Sequence, residues 1–284
     1  GILGDWFGQH KQVAYSMKSE NEQDIDFGYL THPGLTRPTN QDFVSVARGP
    51  IGDISNALLM VVADGMGGHK GGDKASSLAV AEIERSVFTE TPVPDASTAN
   101  QMLEKRLEQA LKSANSKVWE LSNCPEFKGM GTTLVAALLS GFGGVIANVG
   151  DSRCYLHRSG KLNQLTQDHS YVNELLNKGT IDLSEVNTHP LRHIITRAIG
   201  LEPDVDVDLF PIELGHGDSL LLCSDGLHGV LDDGEIEHLV AKDVEAKILC
   251  SDLVEAANRK GGPDNVSVVF MKLPGNNDRC TSLP

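Results

Sequence analysis

Four aspartates of this sequence stand beside small or turn-forming residues, at or next to the ends of short apolar runs: Asp64, Asp151, Asp225 and Asp264. Each such pair by itself is typical of a β-turn. Strands that lie side by side bring their ends together, however, so four carboxylates at four strand ends can converge on one rim. Their mutual repulsion would then require cations. The set therefore predicts a cation-binding site.

The predicted site offers oxygen ligands. Carboxylates and backbone carbonyls, without cysteine or histidine in the same motifs, favour Mg²⁺ or Mn²⁺ over zinc. Two such ions, about 3.5–4 Å apart, can share a bridging carboxylate and a bridging water, lower the pKa of that water and direct it at phosphorus. The pattern indicates hydrolytic phosphoryl chemistry.

Phosphoryl chemistry also needs a group that binds the non-bridging phosphate oxygens. Arg37 begins the run Arg37-Pro38-Thr39-Asn40-Gln41-Asp42, just before a predicted strand. A guanidinium can bind phosphate through two parallel hydrogen bonds. An ordinary surface arginine would give the same single-residue signal, so the role of Arg37 depends on its neighbours.

The elements that could position these residues follow from the hydrophobic pattern. Short apolar runs bounded by turn residues predict strands at 58–63, 134–139, 145–149, 220–223 and 266–271. Apolar residues at helical spacing predict helices over 75–87, 103–121 and 244–256. Because two helices are consecutive and several strands follow one another through short turns, the pattern favours an α+β fold with antiparallel sheets over a βαβ array.

Composition excludes several classes of protein. The 284 residues include 24 Lys+Arg and 39 Asp+Glu, which gives a net charge of −15 and argues against a basic nucleic-acid clamp. Apolar runs fall well short of the roughly 18 residues that a membrane helix needs. Five widely spaced cysteines without a C-x-x-C pair indicate reduced thiols. We therefore expect a soluble, cytoplasmic protein that binds neither nucleic acid nor membranes.

The chain is predicted to form one domain with two loosely attached ends. Residues 1–25 are polar and without a clear period, and 274–284 form a short tail, which leaves 26–273 as the domain. A polar segment at 169–197 lies between strand-rich blocks and could be an insertion over a site.

Asp204, Asp206 and Asp208 lack the glycine and glutamate of a calcium loop, and their spacing predicts an alternating strand.

Several of these motifs occur in the order found in one family. The motifs are Arg37 to Asp42, Asp64-Gly65-Met66-Gly67-Gly68-His69, Gly131-Thr132-Thr133, Gly150-Asp151-Ser152-Arg153, Asp225-Gly226 and Asp264-Asn265. From about residue 26 to 273, the sequence resembles the bacterial branch of the metal-dependent PP2C-type (PPM) serine/threonine phosphatases. The resemblance implies an α/β/β/α sandwich of two antiparallel β-sheets flanked by helices. It also implies release of phosphate from phosphoserine or phosphothreonine by direct attack of a water that bridges two metal ions.

The resemblance assigns ligands to two Mn²⁺ or Mg²⁺ ions and to a third, weaker one. Asp64 matches the carboxylate that bridges two ions, and Gly65 matches the residue whose backbone carbonyl binds one of them. Asp225 and Asp264 match the other protein ligands of the pair. Asp151 matches a ligand of the third ion, which it shares with Asp225.

Other roles are implied in the same way. Arg37 matches the phosphate-binding arginine, and Asp42 matches an acid that orients metal-bound water. Segment 169–197 falls where the family has a mobile flap. The resemblance implies phosphoprotein partners, with a serine/threonine kinase as the opposing enzyme, and a monomer.

Two departures from the family pattern affect the expected chemistry. Gln41 stands where many members have glutamate, which removes a charge and should weaken any contact to metal-bound water. Met66 stands where animal members have a histidine proposed as general acid. The donor could then be His69, another loop or flap residue, or water in the metal centre, and we favour water.

Two other functions remain to be distinguished. A small-molecule phosphatase could use the same metals, and its preferred substrates would be sugar or nucleotide phosphates. A degenerate binding scaffold would usually have lost metal ligands, whereas Asp64, Asp225 and Asp264 are all present.

Overall fold

The computed structural model describes residues 12–13, 25–67, 71–94, 96–186 and 188–275. The strands are β1 (Gln12–Val13), β2 (Asp26–His32), β3 (Asp42–Ile51), β4 (Ile54–Met66), β5 (Gly131–Thr132), β6 (Leu134–Ser140), β7 (Gly143–Val149), β8 (Arg153–Arg158), β9 (Lys161–Gln164), β10 (Asp208–Glu213), β11 (Ser219–Cys223) and β12 (Val266–Lys272). The helices are α1 (Gly71–Val87), α2 (Ala99–Ser122), α3 (Tyr171–Asn177), α4 (Leu183–Val186), α5 (Asp225–His228), α6 (Asp233–Val240) and α7 (Ala246–Arg259).

Across the described residues, the strands form two antiparallel sheets. The first sheet has the order β10-β7-β6-β4-β3 with β5 paired to β4, and the second sheet has the order β1-β2-β12-β11-β8-β9. Strands that are distant in sequence are neighbours in both sheets, so turns from four parts of the chain meet at one end of the sandwich. The two antiparallel sheets with flanking helices confirm the predicted architecture.

The alternation of β4 explains how the layers pack. Leu59, Val61 and Ala63 face α1 and α2, whereas Leu58, Met60 and Val62 face the second sheet. Successive side chains of a strand point to opposite faces, so a continuous apolar run fits a strand that is buried on both sides. A third apolar layer lies between the second sheet and α5, α6 and α7.

Every predicted strand and helix is present, but the acidic strand was predicted too long. The strand that contains Asp208 begins at that residue, and Asp204 and Asp206 precede it in a loop. This loop is held by Asn115 of α2, whose Nδ2 donates to the carbonyls of Glu202 and Pro203 at 3.0 and 3.1 Å. The backbone just before Asp204 therefore pairs with a helix side chain.

The ends of the chain are described only in part. Gln12 and Val13 pair with Thr31 and Leu30, which adds a short edge strand to the second sheet. The rest of the predicted extension, except Ile25, and residues 276–284 of the tail lie outside the described residues. Among the described helices, none combines the length and apolar character required to cross a membrane.

Candidate active site

Strands β3 and β4 place two acidic residues face to face. Asp42 and Asp64 are direct partners in the antiparallel register. The Asp64 carbonyl accepts hydrogen bonds from the Thr133 backbone N–H and the Thr132 hydroxyl, both at 2.9 Å. This backbone is therefore fixed on both sides, and the carboxylate projects from a rigid strand.

Gly65 is held in a passage too narrow for a side chain. Its N–H donates to the Gln41 carbonyl at 3.1 Å. A Cβ at Gly65 would lie 2.1 Å from the Gly72 carbonyl oxygen, and a Cβ at Gly72 would lie 2.8 Å from Gln41 Nε2. The start of α1 thus packs against the Asp64–Gly65 backbone, which explains the glycines of this motif.

The other strand ends bring Asp225 and Asp264 to the same rim. Asp225 is the first residue of α5, and a Cβ on the following Gly226 would lie 1.9 Å from the Asn265 carbonyl oxygen. Arg37 Nη2 donates to Asp264 Oδ2 at 2.8 Å, and 55% of the Arg37 side chain is exposed. The guanidinium is therefore at the mouth of the acidic cluster.

Asn265 fastens the loop that carries Arg37. Its Nδ2 donates to the carbonyls of Pro33 and Thr39 at 3.0 and 2.9 Å, and its Oδ1 accepts from the Gln41 N–H at 2.8 Å. The sequence reasoning used Asn265 only as part of a motif and missed this role. The sequence did offer a signal for this role, because Asn265 follows a predicted ligand and its side-chain amide can both donate and accept hydrogen bonds.

Asp151 follows β7 and is 7% exposed. Its carbonyl accepts a hydrogen bond at 3.0 Å from Nε2 of His228, the last residue of α5. Burial lowers the pKa of His228 to about 3, so this ring is neutral at physiological pH. The neighbouring Ser152 hydroxyl bonds to the Thr133 hydroxyl at 2.7 Å, which ties the Asp151 turn to the strand that supports Asp64.

Asp42 is also fixed by a serine that the sequence reasoning missed. The Ser224 hydroxyl donates to Asp42 Oδ2 at 2.8 Å and accepts from the Ser267 N–H at 3.0 Å. This buried chain connects β3 to the residue before Asp225. It therefore links the acid predicted to orient water with the chain next to one predicted ligand, Asp225.

The cluster has the electrostatics of carboxylates forced together. Burial, followed by the charges of neighbouring carboxylates, raises the pKa of Asp64 and Asp151 well above the ordinary aspartate range. Burial also raises the pKa of Asp225, and a hydrogen bond with Asp64 opposes that rise. Burial raises the pKa of Asp42 to about 7. In free-energy terms, the fold is destabilised when all these groups ionise together.

Comparisons with known proteins identify the family. The sequence profile described as Protein phosphatase 2C matches residues 38–259. The chain belongs to the PP2C family. It is 37% identical over 245 residues to the serine/threonine phosphatase stp of Listeria monocytogenes, which covers 86% of this chain and 94% of the relative.

Solved structures agree with this PP2C assignment. The serine/threonine phosphatase of S. agalactiae matches with a TM-score of 0.80 and 34% identity, over 88% of this chain and 99% of that chain. The catalytic domain of the protein phosphatase PstP, solved with two manganese ions, matches with a TM-score of 0.75 and 33% identity, over 88% and 98% of the chains. This PP2C member is a metal-dependent serine/threonine protein phosphatase.

The residues expected from PP2C resemblance gather on one rim, but their side chains are not arranged around a common point. Within the described part of the chain, no three His, Cys, Asp or Glu side chains form a ready metal-ligand set. Asp264 instead faces Arg37, and its Oδ1 accepts from the Asn265 N–H at 2.8 Å. Metal binding by Asp264 Oδ2 would therefore compete with its ion pair to Arg37.

The donor atoms nevertheless fit hard cations. Asp42, Asp151 and Asp225 each have a buried Oδ1 without a hydrogen-bond partner. Unpartnered buried carboxylate oxygens are costly, and a divalent cation would offset both their desolvation and their mutual repulsion. An all-oxygen cluster suits Mg²⁺ or Mn²⁺.

A cleft of about 360 Å³ adjoins the rim, between segment 169–197 and helices α5 and α6. Its lining includes Asp151, Asp225, Arg192 and His193.

Met66, at the position where animal PP2C members have histidine, ends β4. His69 lies outside the described residues.

Proposed function

We propose that this phosphatase removes phosphate from phosphoserine and phosphothreonine proteins in the cytoplasm, and that Mn²⁺ or Mg²⁺ binds at the aspartate rim. In this proposal the enzyme is a monomer and opposes a serine/threonine kinase in signalling. The observation that carries the proposal is the set of unpartnered buried oxygens on Asp42, Asp151 and Asp225. These atoms belong to a group of carboxylates whose mutual repulsion favours a cation. The two-manganese complex of PstP supports the choice of ion.

In this proposal the ligands of two ions are Asp64, the Gly65 carbonyl, Asp225 and Asp264, and Asp151 binds a third ion together with Asp225. When bound, the ions supply a strong nucleophile at neutral pH and positive charge for the phosphoryl oxygens. Asp42 orients the attacking water through its free oxygen while Ser224 holds the other one.

Arg37 binds the phosphate. Its position at the mouth of the cluster and its mostly exposed side chain allow it to turn from Asp264 to a phosphate oxygen. The guanidinium can make two parallel charge-assisted hydrogen bonds there, which fixes the phosphorus relative to the rim. Segment 169–197, which lines the cleft opposite α5 and α6, would act as a flap that governs substrate access.

The test is phosphate release by purified protein freed of metal with EDTA. We expect no turnover in EDTA, recovery with Mn²⁺ or Mg²⁺ but not Zn²⁺, and faster release from phosphothreonine peptides than from sugar or nucleotide phosphates. Calorimetric titration of Mn²⁺ into wild type and Asp225→Asn should show weakened binding in the variant. Full turnover in EDTA would overturn the metal assignment, and preference for small phosphates would overturn the substrate class.

A further inference from the structure

One carboxylate joins the two ends of segment 169–197. Asp208 Oδ2 lies 3.1 Å from His169 Nε2, and Asp208 Oδ1 accepts from Arg197 Nη1 at 2.7 Å. Asp208 is the first residue of β10 and is the register partner of Asn148 in β7. The two ends of the segment are thus anchored to a sheet strand by a single side chain.

His169 is in turn joined to the turn that carries Asp151. The His169 N–H donates to the Gly150 carbonyl, and the Gly150 N–H donates to His169 Nδ1, both at 2.9 Å. Gly150 has a φ of +113°, and a Cβ there would lie 2.6 Å from Thr133 Cβ. The turn is therefore confined between Thr133 on one side and the His169 ring on the other.

The contacts determine which ring nitrogen carries the proton. Because Nδ1 accepts from Gly150, a neutral His169 ring is protonated on Nε2, which donates to Asp208. Burial lowers the pKa of His169, which favours this neutral form. Arg197 Nη1 lies 3.0 Å from His169 Nε2, but both atoms are donors and cannot hydrogen-bond to each other. They lie close together because both bind the carboxylate of Asp208.

We propose that Asp208 and His169 are positioning residues of the phosphatase: Asp208 orients the His169 ring, and the ring fixes the Gly150 backbone so that Asp151 is held toward the rim. The proposal rests on the proposed function for the role of Asp151. Nothing in the arrangement requires either residue to contact substrate. A metal ligand whose supporting hydrogen bonds are removed loses affinity even though the ligand itself is intact.

Three variants separate the links of this chain. His169→Ala removes both side-chain contacts. His169→Asn keeps an acceptor near the position of Nδ1 and loses the contact to Asp208. Asp208→Asn keeps the size of the side chain but removes its charge. His238→Ala is the control, because His238 is an exposed histidine on α6, outside this segment.

The first measurement is amide hydrogen exchange at Gly150 in metal-free protein. We expect exchange about tenfold faster in His169→Ala and a smaller increase in Asp208→Asn and His169→Asn, which both keep an acceptor for the Gly150 N–H. The rate in His238→Ala should be near that of wild type. The second measurement is the Mn²⁺ concentration that gives half-maximal release from a phosphothreonine peptide. It should rise about 10–100-fold in His169→Ala and by a smaller factor in Asp208→Asn.

Unchanged Gly150 exchange in the alanine variant would overturn the proposal, as would faster exchange without a shift in Mn²⁺ dependence. If His169→Ala does not fold, Asp208→Asn decides by the same two criteria. The exchange measurement uses no metal, so it tests the hydrogen-bond chain even if EDTA experiments overturn the proposed function.

Discussion

Asp42, which is buried, and Asp64, which is half-buried, face each other across β3 and β4 as direct register partners. Burial raises the pKa of Asp42 to about 7 and raises that of Asp64 well above its ordinary value. An acidic pair in this position opposes folding unless a proton or a cation neutralises it. Stability and catalysis therefore make opposite demands on the same two side chains.

Asp42→Asn should stabilise the metal-free protein in a pH-dependent way. A carboxyl whose pKa is raised by folding contributes stability below about pH 4 and loses it as the pH rises through about 7. Asparagine stays neutral and can still accept from Ser224. In EDTA, the free energy of unfolding of the variant should therefore rise relative to that of wild type between pH 4 and pH 8, by about 1–3 kcal/mol at the upper end. Thermal or urea unfolding at several pH values measures this.

Asp53→Asn is the matched control, because Asp53 is exposed in the turn between β3 and β4. Its stability relative to wild type should change little with pH. With saturating Mn²⁺, Asp42→Asn should lose about 10–100-fold in kcat, as expected when a group supporting a metal site is removed. A stability difference for Asp42→Asn that does not vary with pH would contradict the electrostatic account.

Arg37→Ala should weaken phosphate capture. The guanidinium holds substrate and transition state about equally if it binds the same phosphoryl oxygens in both, so KM should rise more than kcat falls. Losing a charge-assisted hydrogen bond predicts a decrease of about 10–100-fold in kcat/KM. Lysine should restore activity only in part because it lacks the planar pair of donors. The control is Arg259→Ala, which alters an exposed arginine on α7 and should behave like wild type. Unchanged kinetics in Arg37→Ala would show that Arg37 is an ordinary surface residue.

Asn265→Ala should act through the loop that carries Arg37. The substitution removes three hydrogen bonds that hold Pro33, Thr39 and Gln41. We expect KM for phosphopeptide to rise about tenfold, and we expect this penalty to be much smaller when Arg37 is already alanine. Steady-state kinetics of both single variants and the double variant measure the coupling. If the KM factors of the two single variants simply multiply in the double variant, a shared role is refuted. Asn163→Ala, at an exposed position of β9, is the control.

The central strands could be predicted from sequence because they are buried on both faces. The apolar runs in β4, β6 and β12 have the composition that this burial demands. Edge strand β9 (Lys161–Gln164) is mostly exposed and has no such signal. The strand that begins at Asp208 was predicted too long. The alternation of Asp204, Asp206 and Asp208 carries no sign that the chain just before it bonds to Asn115, which is far away in sequence.

The site could be predicted only in part for a related reason. Asp64, Asp151, Asp225 and Asp264 stand in turn motifs that are recognisable in sequence. Their supports Ser224, Asp208 and His169 are ordinary polar residues whose partners are brought near by the sheet order. The Asp264 side chain was expected to face a metal, and in the structure it binds Arg37. Such competing ion pairs depend on side-chain geometry and leave no trace in a motif.

Two histidines can be tested as the general acid against the predicted water. Serine and threonine alkoxides are poor leaving groups that need a proton, whereas p-nitrophenolate leaves readily without one. His69 lies three residues beyond Met66, and His193 lines the cleft near Asp225 and influences its pKa. Rates on the two kinds of substrate therefore distinguish a proton donor from a residue that merely shapes the site.

We expect His69→Ala, like His193→Asn, to slow phosphothreonine peptide and p-nitrophenyl phosphate by similar factors, because water in the metal centre supplies the proton. His238→Asn, at an exposed position of α6, is the control. The measurement is kcat for both substrates at saturating Mn²⁺. A loss of about 10²–10⁴-fold on the peptide alone is the effect expected when a general acid is removed. Such a loss in either variant would identify that histidine as the donor and exclude water from the role.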